Sequence, residues 1–166
     1  MLKVALLSLT FLSSLYVNCN TLKRGIPAPK FSAIGDDNKR HNLSEYKGKK
    51  LVLYFYPKNG TPWCTLEAKG FRDNFALFKR NNIEVLGVSY DSVEKHQEFK
   101  AKHQLPFILL SDPESQISEL YEAKGLILNS RITYIIDENG IINHIFTNVV
   151  PKTHAQDVLK YLKIIK

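Results

Sequence analysis

The chain has 166 residues, 44% hydrophobic and 23% charged, which fits one globular domain with a real core and excludes disordered and collagen-like architectures. Its 23 Lys+Arg against 16 Asp+Glu give +7, but the basic residues are scattered, without a nucleic-acid-binding motif or a basic run interleaved with stacking aromatics. A solvated basic surface is the reading, with no nucleic acid partner. Two cysteines, Cys19 and Cys64, make no disulfide framework, and no Cys/His spacing suits a zinc site.

The first 19 residues differ in kind. Lys3 precedes a mostly apolar run from Val4 to Val17 that gives way to Asn18-Cys19-Asn20. That run is too short for a transmembrane span and reads as a secretory signal, with Val17 and Cys19 at the small-residue positions of a cleavage site. Cys19 as a lipid acceptor and an uncleaved membrane anchor stay open as alternatives. Residues 1–19 are set apart on this reading, and 20–166 form the domain.

Gly25-Ile-Pro-Ala-Pro-Lys-Phe31 is an extended leading arm, since each proline disfavours helix before it. Leu51–Tyr56 is a continuous apolar run ending at Pro57, as expected of a strand buried on both faces. After a loop through Trp63, Ala68, Phe71, Phe75 and Phe78 mark one face of a helix that ends near Lys79 and Arg80. Ile83–Ser89 is a second buried strand, and Asp91-Ser92-Val93-Glu94 opens a helix to about His103. Pro106–Leu110 is a short strand, and Pro113 starts a helix through Tyr121. Arg131–Ile136 and Ile141–Phe146 form a hairpin around Asp137-Glu-Asn-Gly140. A last helix, Thr153–Lys163, turns Val158, Leu159, Leu162 and Ile165 inward. The alternation predicts a three-layer α/β domain with a central mixed sheet flanked by helices.

Cys64 falls where a loop leaves a central strand and a helix begins. Unpaired N–H groups and the helix dipole favour a thiolate there, and the flanking polar and proline residues argue for an open rather than a core position. The five histidines lack close ligand spacing and read as surface residues, and no cofactor or metal is expected.

Pro57-Lys-Asn-Gly-Thr61-Pro-Trp-Cys64 has the form Pro-x-x-x-Thr-x-x-Cys, which resembles the active-site signature of the peroxiredoxins. Tyr54–Lys58, the continuation Cys64–Asp73, Ser111-Asp112-Pro113 and Arg131–Asp137 are similar to the bacterioferritin-comigratory-protein (PrxQ) branch. The resemblance implies a thioredoxin-like fold and a thiol-dependent peroxidase for hydrogen peroxide and organic hydroperoxides. It implies that Cys64 attacks the peroxide and becomes a sulfenic acid, that Thr61 orients the peroxide, that Arg131 holds the thiolate and the developing oxyanion, and that Pro57 shields the site. Glu67 either pairs with Arg72 or Arg131 or faces solvent.

Two positions depart from the branch. Trp63 stands where a small residue is usual, and Lys69 occupies the place of a resolving cysteine; the segment Asp91–Leu105 holds none either. A one-cysteine mechanism follows, with an external thiol reductant of thioredoxin, glutaredoxin or small-thiol type, in a monomer or homodimer. A thioredoxin-like dithiol oxidoreductase would need a second cysteine at Glu67, so only a monothiol form competes, alongside a non-catalytic binding or chaperone-like module. Asn59-Gly-Thr61 is a glycosylation pattern whose use would obstruct the loop, so a bacterial periplasm or cell envelope suits the exported chain better than a eukaryotic secretory route.

Overall fold

A computed structural model describes residues 21–166. The expected signal at residues 1–19, with Cys19, lies outside the described residues. In chain order the elements are β1 (Ser32–Gly35), β2 (Arg40–Asn42), β3 (Lys50–Phe55), α1 (Pro62–Asp73), α2 (Phe75–Arg80), β4 (Ile83–Ser89), α3 (Val93–His103), β5 (Ile108–Ser111), α4 (Gln116–Leu120), β6 (Ile132–Ile136), β7 (Ile142–Phe146) and α5 (His154–Tyr161).

The seven strands form one mixed sheet in the order β2-β1-β5-β4-β3-β6-β7. Strands β3, β4 and β5 run parallel, whereas β6 is antiparallel to β3, with Phe55 paired to Ile132 and Leu51 to Ile136. Side-chain alternation along β3 builds two cores. Val52 and Tyr54 face α1, α2 and α5 with Phe71, Phe78 and Val158, while Leu51, Leu53 and Phe55 face Ile117, Tyr121 and the leading arm through Phe31. This is the predicted three-layer fold with its central mixed sheet.

Three elements differ from expectation, and the leading arm is held more firmly than its composition announces. The hairpin β1–β2 was not foreseen: its strands are four and three residues long, too short to carry a periodic signal, and Asn38 adopts a positive φ of 61° at the turn between them. The leading arm is extended as expected, and it is also hydrogen-bonded to the second hairpin through Gly25 N–H on Ile142 O at 2.8 Å and Ala28 N–H on Gly140 O at 2.9 Å. The long helix through Phe78 is broken at Asn74, whose side-chain amide donates to Gly70 O at 2.9 Å and competes with the helical ladder. Phe75 is consequently only half-buried, whereas Phe78 is fully buried. The helix expected from Pro113 shrinks to Gln116–Leu120 because Asp112, inside the loop, accepts from the N–H groups of Ile117 and Ser118 at 3.1 and 2.8 Å and fixes where it starts.

Candidate active site

Strand β3 ends at Phe55, and the loop from Tyr56 delivers the chain to Thr61, the N-cap of α1. Pro62 occupies the first helical position, where its missing N–H costs nothing. Cys64 therefore lies in the first turn, among backbone N–H groups that have no helical partner.

Its sulfur is not open to solvent as the flanking residues suggested: Cys64 is 2% exposed. The reason is helical period. Cys64, Glu67, Ala68 and Phe71 form the buried stripe of α1, so the first turn already packs against the sheet. The polar and proline neighbours that argued for an open position lie on the other side of the helix, as does Trp63, which is 63% exposed and projects outward.

Arg131 reaches this sulfur from the strand beside β3. Because β6 runs antiparallel to β3, the residue preceding Ile132 sits at the end of the sheet where β3 hands over to the loop. Its Nη2 donates to Cys64 Sγ at 3.2 Å. Its Nη1 donates to Glu67 Oε2, forming an ion pair with a carboxylate that is fully buried. Of the three arrangements open to Glu67 from sequence, the pair with Arg131 is the one formed. The position where a dithiol enzyme needs its second cysteine thus carries the carboxylate that orients the guanidinium.

Behind Glu67 stands His154, at the start of α5. Its Nε2 is 3.9 Å from Glu67 Oε1 and 2.8 Å from Thr133 Oγ1. Burial pushes Glu67 up to about 7 despite the Arg131 charge, and it pushes His154 down to about 4. Among the described residues Glu67 Oε1 has no hydrogen-bond partner. His154 and His96 are 1% and 0% exposed, so the expectation of surface histidines fails for both. Each is held by hydrogen bonds that its lone position in the sequence does not announce.

Thr61 is half-buried, and its hydroxyl donates to Lys58 O at 3.2 Å, so the lone pairs of Oγ1 stay free to accept. Pro57, also half-buried, stands between the strand end and this turn. Among the described residues no group of His, Cys, Asp and Glu side chains is placed to hold a metal, and no helix is long and apolar enough to cross a membrane.

The family described as AhpC/TSA matches residues 25–145. Peroxiredoxin Bcp of Bacillus subtilis (strain 168) is 41% identical over 151 residues, spanning 86% of this chain and 96% of that relative. A solved PrxQ variant from Xylella fastidiosa is 32% identical with a TM-score of 0.77, over 87% of this chain and 93% of the other. Peroxidoxin BcpB from Mycobacterium tuberculosis superposes with a TM-score of 0.81 at 27% identity, over 87% of this chain and 99% of the other. A thiol under a guanidinium at the head of a helix, on this fold and among these relatives, makes the chain a member of the AhpC/TSA family and a thiol-dependent peroxidase of the Bcp/PrxQ type.

Proposed function

We propose that Cys64 is the sulfur that reduces the hydroperoxide, with Arg131, Thr61 and Pro57 completing the site. The observation that carries this reading is the contact of Arg131 Nη2 with Cys64 Sγ, which places a fixed cation at the one point where negative charge sits before the reaction and shifts during it. The thiolate attacks the terminal oxygen of the hydroperoxide. The S–O bond forms as the O–O bond breaks, its electron pair leaves on the departing oxygen, and that alkoxide or hydroxide takes a proton from water. Cys64 becomes a sulfenic acid and the substrate an alcohol or water. Arg131 stabilises the charge as it moves from sulfur to oxygen. Thr61 Oγ1, its own proton committed to Lys58 O, accepts the O–H of the hydroperoxide and orients it. Pro57 covers the edge of the loop.

Cys64 is the one cysteine of residues 20–166, so regeneration falls to an external thiol. A first thiol condenses with the sulfenic acid and releases water, and a second displaces it as a disulfide and restores Cys64. A thioredoxin-type, glutaredoxin-type or small-molecule thiol all satisfy that chemistry. The apolar run within residues 1–19 supports the same enzyme working after export, and the Asn59-Gly-Thr61 pattern favours a bacterial envelope over a eukaryotic secretory route; the enzyme acts there as a monomer or homodimer.

The test is intact-mass analysis after one equivalent of hydrogen peroxide. The expected result is the gain of one oxygen that a sulfenic-acid reagent traps on Cys64, absent in Cys64→Ser. Peroxide consumption that persists in Cys64→Ser would overturn the reading.

A further inference from the structure

The loop from Tyr56 to Thr61 sets the Thr61 hydroxyl, and its middle residue is tied down from two directions. Asn59 N–H donates to Asp91 Oδ2 at 2.8 Å, and that carboxylate also accepts from Ser89 Oγ at 2.8 Å. The Asn59 side chain lies against His96 of α3, with Nδ2 3.0 Å from His96 Nδ1, while Tyr56 Oη donates to Asn59 Oδ1 at 2.7 Å.

The partners dictate the protonation of the ring. His96 Nε2 is 3.1 Å from Leu110 O, a group that can only accept, so Nε2 carries the proton. Nδ1 is then an acceptor and takes its shorter hydrogen bond from the Asn59 amide, with Tyr56 Oη also 3.3 Å away. The tyrosine hydroxyl donates at the shorter distance to Asn59 Oδ1, so Asn59 is held by both rings. The imidazole is 0% exposed, and Asp91, Asp36, Tyr56 and Asn59 surround it, with Asp36 paired to Lys100 at 2.6 Å. Burial holds His96 below the ordinary imidazole value against the pull of the two aspartates, so Nδ1 remains an acceptor at neutral pH. The same bonds occupy the amide that the Asn59-Gly-Thr61 pattern offers to a glycan.

We propose that His96 is a positioning residue of the peroxidase reaction, acting through Asn59 to hold the loop that presents Thr61 to the hydroperoxide. The inference rests on Cys64 being the attacking sulfur. It concerns the aim of the peroxide rather than the nucleophilicity of the thiolate, because the contacts of Arg131 with Cys64 and Glu67 are made without Asn59 or His96.

Two conservative variants separate the ring nitrogens. His96→Asn retains an acceptor near the place of Nδ1 and gives up the bond to Leu110 O, whereas His96→Gln retains the donor near Nε2 and gives up the acceptor that Asn59 needs. Asn59→Ala, in a half-buried loop, removes the partner without entering the core. The measurements are the rate constant of Cys64 with hydrogen peroxide, its rate of alkylation by iodoacetamide, and the melting temperature. His96→Gln and Asn59→Ala are expected to slow the peroxide reaction about tenfold or more with alkylation unchanged. His96→Asn should lie nearer the parent enzyme, and the double variant Asn59→Ala/His96→Gln should be no slower than the worse single one. Parent-like peroxide rates in His96→Gln and Asn59→Ala would overturn the inference, as would rates that simply track melting temperature whichever nitrogen is replaced. A parent protein that consumes no hydroperoxide removes the premise itself, which is a different failure.

Discussion

Arg131 meets Cys64 across 67 residues of chain, with Nη2 3.2 Å from the sulfur while the other arm of the same guanidinium holds Glu67. A planar fork suits this bridging, since each terminal nitrogen serves a different acceptor in a fixed relative geometry.

Arg131→Lys keeps the charge and loses the fork. One ammonium cannot hold Glu67 and attend the sulfur together, so the rate with hydrogen peroxide should fall about a hundredfold. The chain's single tryptophan, Trp63, adjoins Cys64 and supplies the stopped-flow signal. A lysine variant as fast as the parent would remove the charge-stabilising role.

Glu67 and His154 should pull stability in opposite directions with pH. Glu67 titrates near 4.5 unfolded and about 7 folded, so the native state binds the extra proton and stability falls as pH rises through that window. His154 titrates near 6.5 unfolded and about 4 folded, so the unfolded state binds the extra proton and stability rises with pH between those values. Each effect amounts to roughly 3 kcal/mol, and where the windows overlap they nearly cancel. Urea denaturation across pH 4 to 7 should show stability rising more steeply with pH than in the parent in Glu67→Gln, and less steeply than in the parent in His154→Gln. Two variants with the same slope would contradict the buried placement of these groups.

Gly87 lies where a Cβ would come within 2.8 Å of Leu109 Cδ2 and of the Tyr54 ring. Tyr54 is stacked between Tyr56 and Phe71 and cannot move aside freely. Gly87→Ala should destabilise by about 1–3 kcal/mol through overpacking. Thermal denaturation reads this directly, and an unchanged midpoint would mean that the Tyr54 ring has room to yield.

Asp112, part of the sequence resemblance, makes no contact with Cys64 or Arg131. Its carboxylate accepts from Ile117 N, Ser118 N and Ser118 Oγ at 3.1, 2.8 and 2.6 Å. Asp112→Ala should cost about 1–3 kcal/mol by leaving these buried donors unpaired. Cys64 alkylation in the folded variant should keep its parent rate; a slowed alkylation would tie α4 to the site.

Strands β3 and β4, the hairpin β6–β7 and the helices α3 and α5 were legible because each combines a long apolar or periodic run with clear punctuation: Pro57, Ser92 and the Asp137–Gly140 turn. The β1–β2 pair was not, since Ser32–Gly35 and Arg40–Asn42 are stabilised by neighbours rather than by their own composition. Within the site, the motif grouped Pro57, Thr61 and Cys64 by sequence, whereas Arg131 was picked out only by the family resemblance, because the strand pattern does not say which loop its strand start faces. Glu67 carried a readable signal, the spacing of three from Cys64 that puts both on one stripe. His154 and His96 carried none, because their partners, Thr133 and Asn59, lie 21 and 37 residues away.

The antiparallel docking of β6 on β3 also makes the Arg131–Cys64 contact a property of the closed sheet rather than of any local segment. A chain that has formed α1 but not yet paired β6 with β3 holds Cys64 without a guanidinium beside it, so this contact forms only with closure of a long-range strand pair.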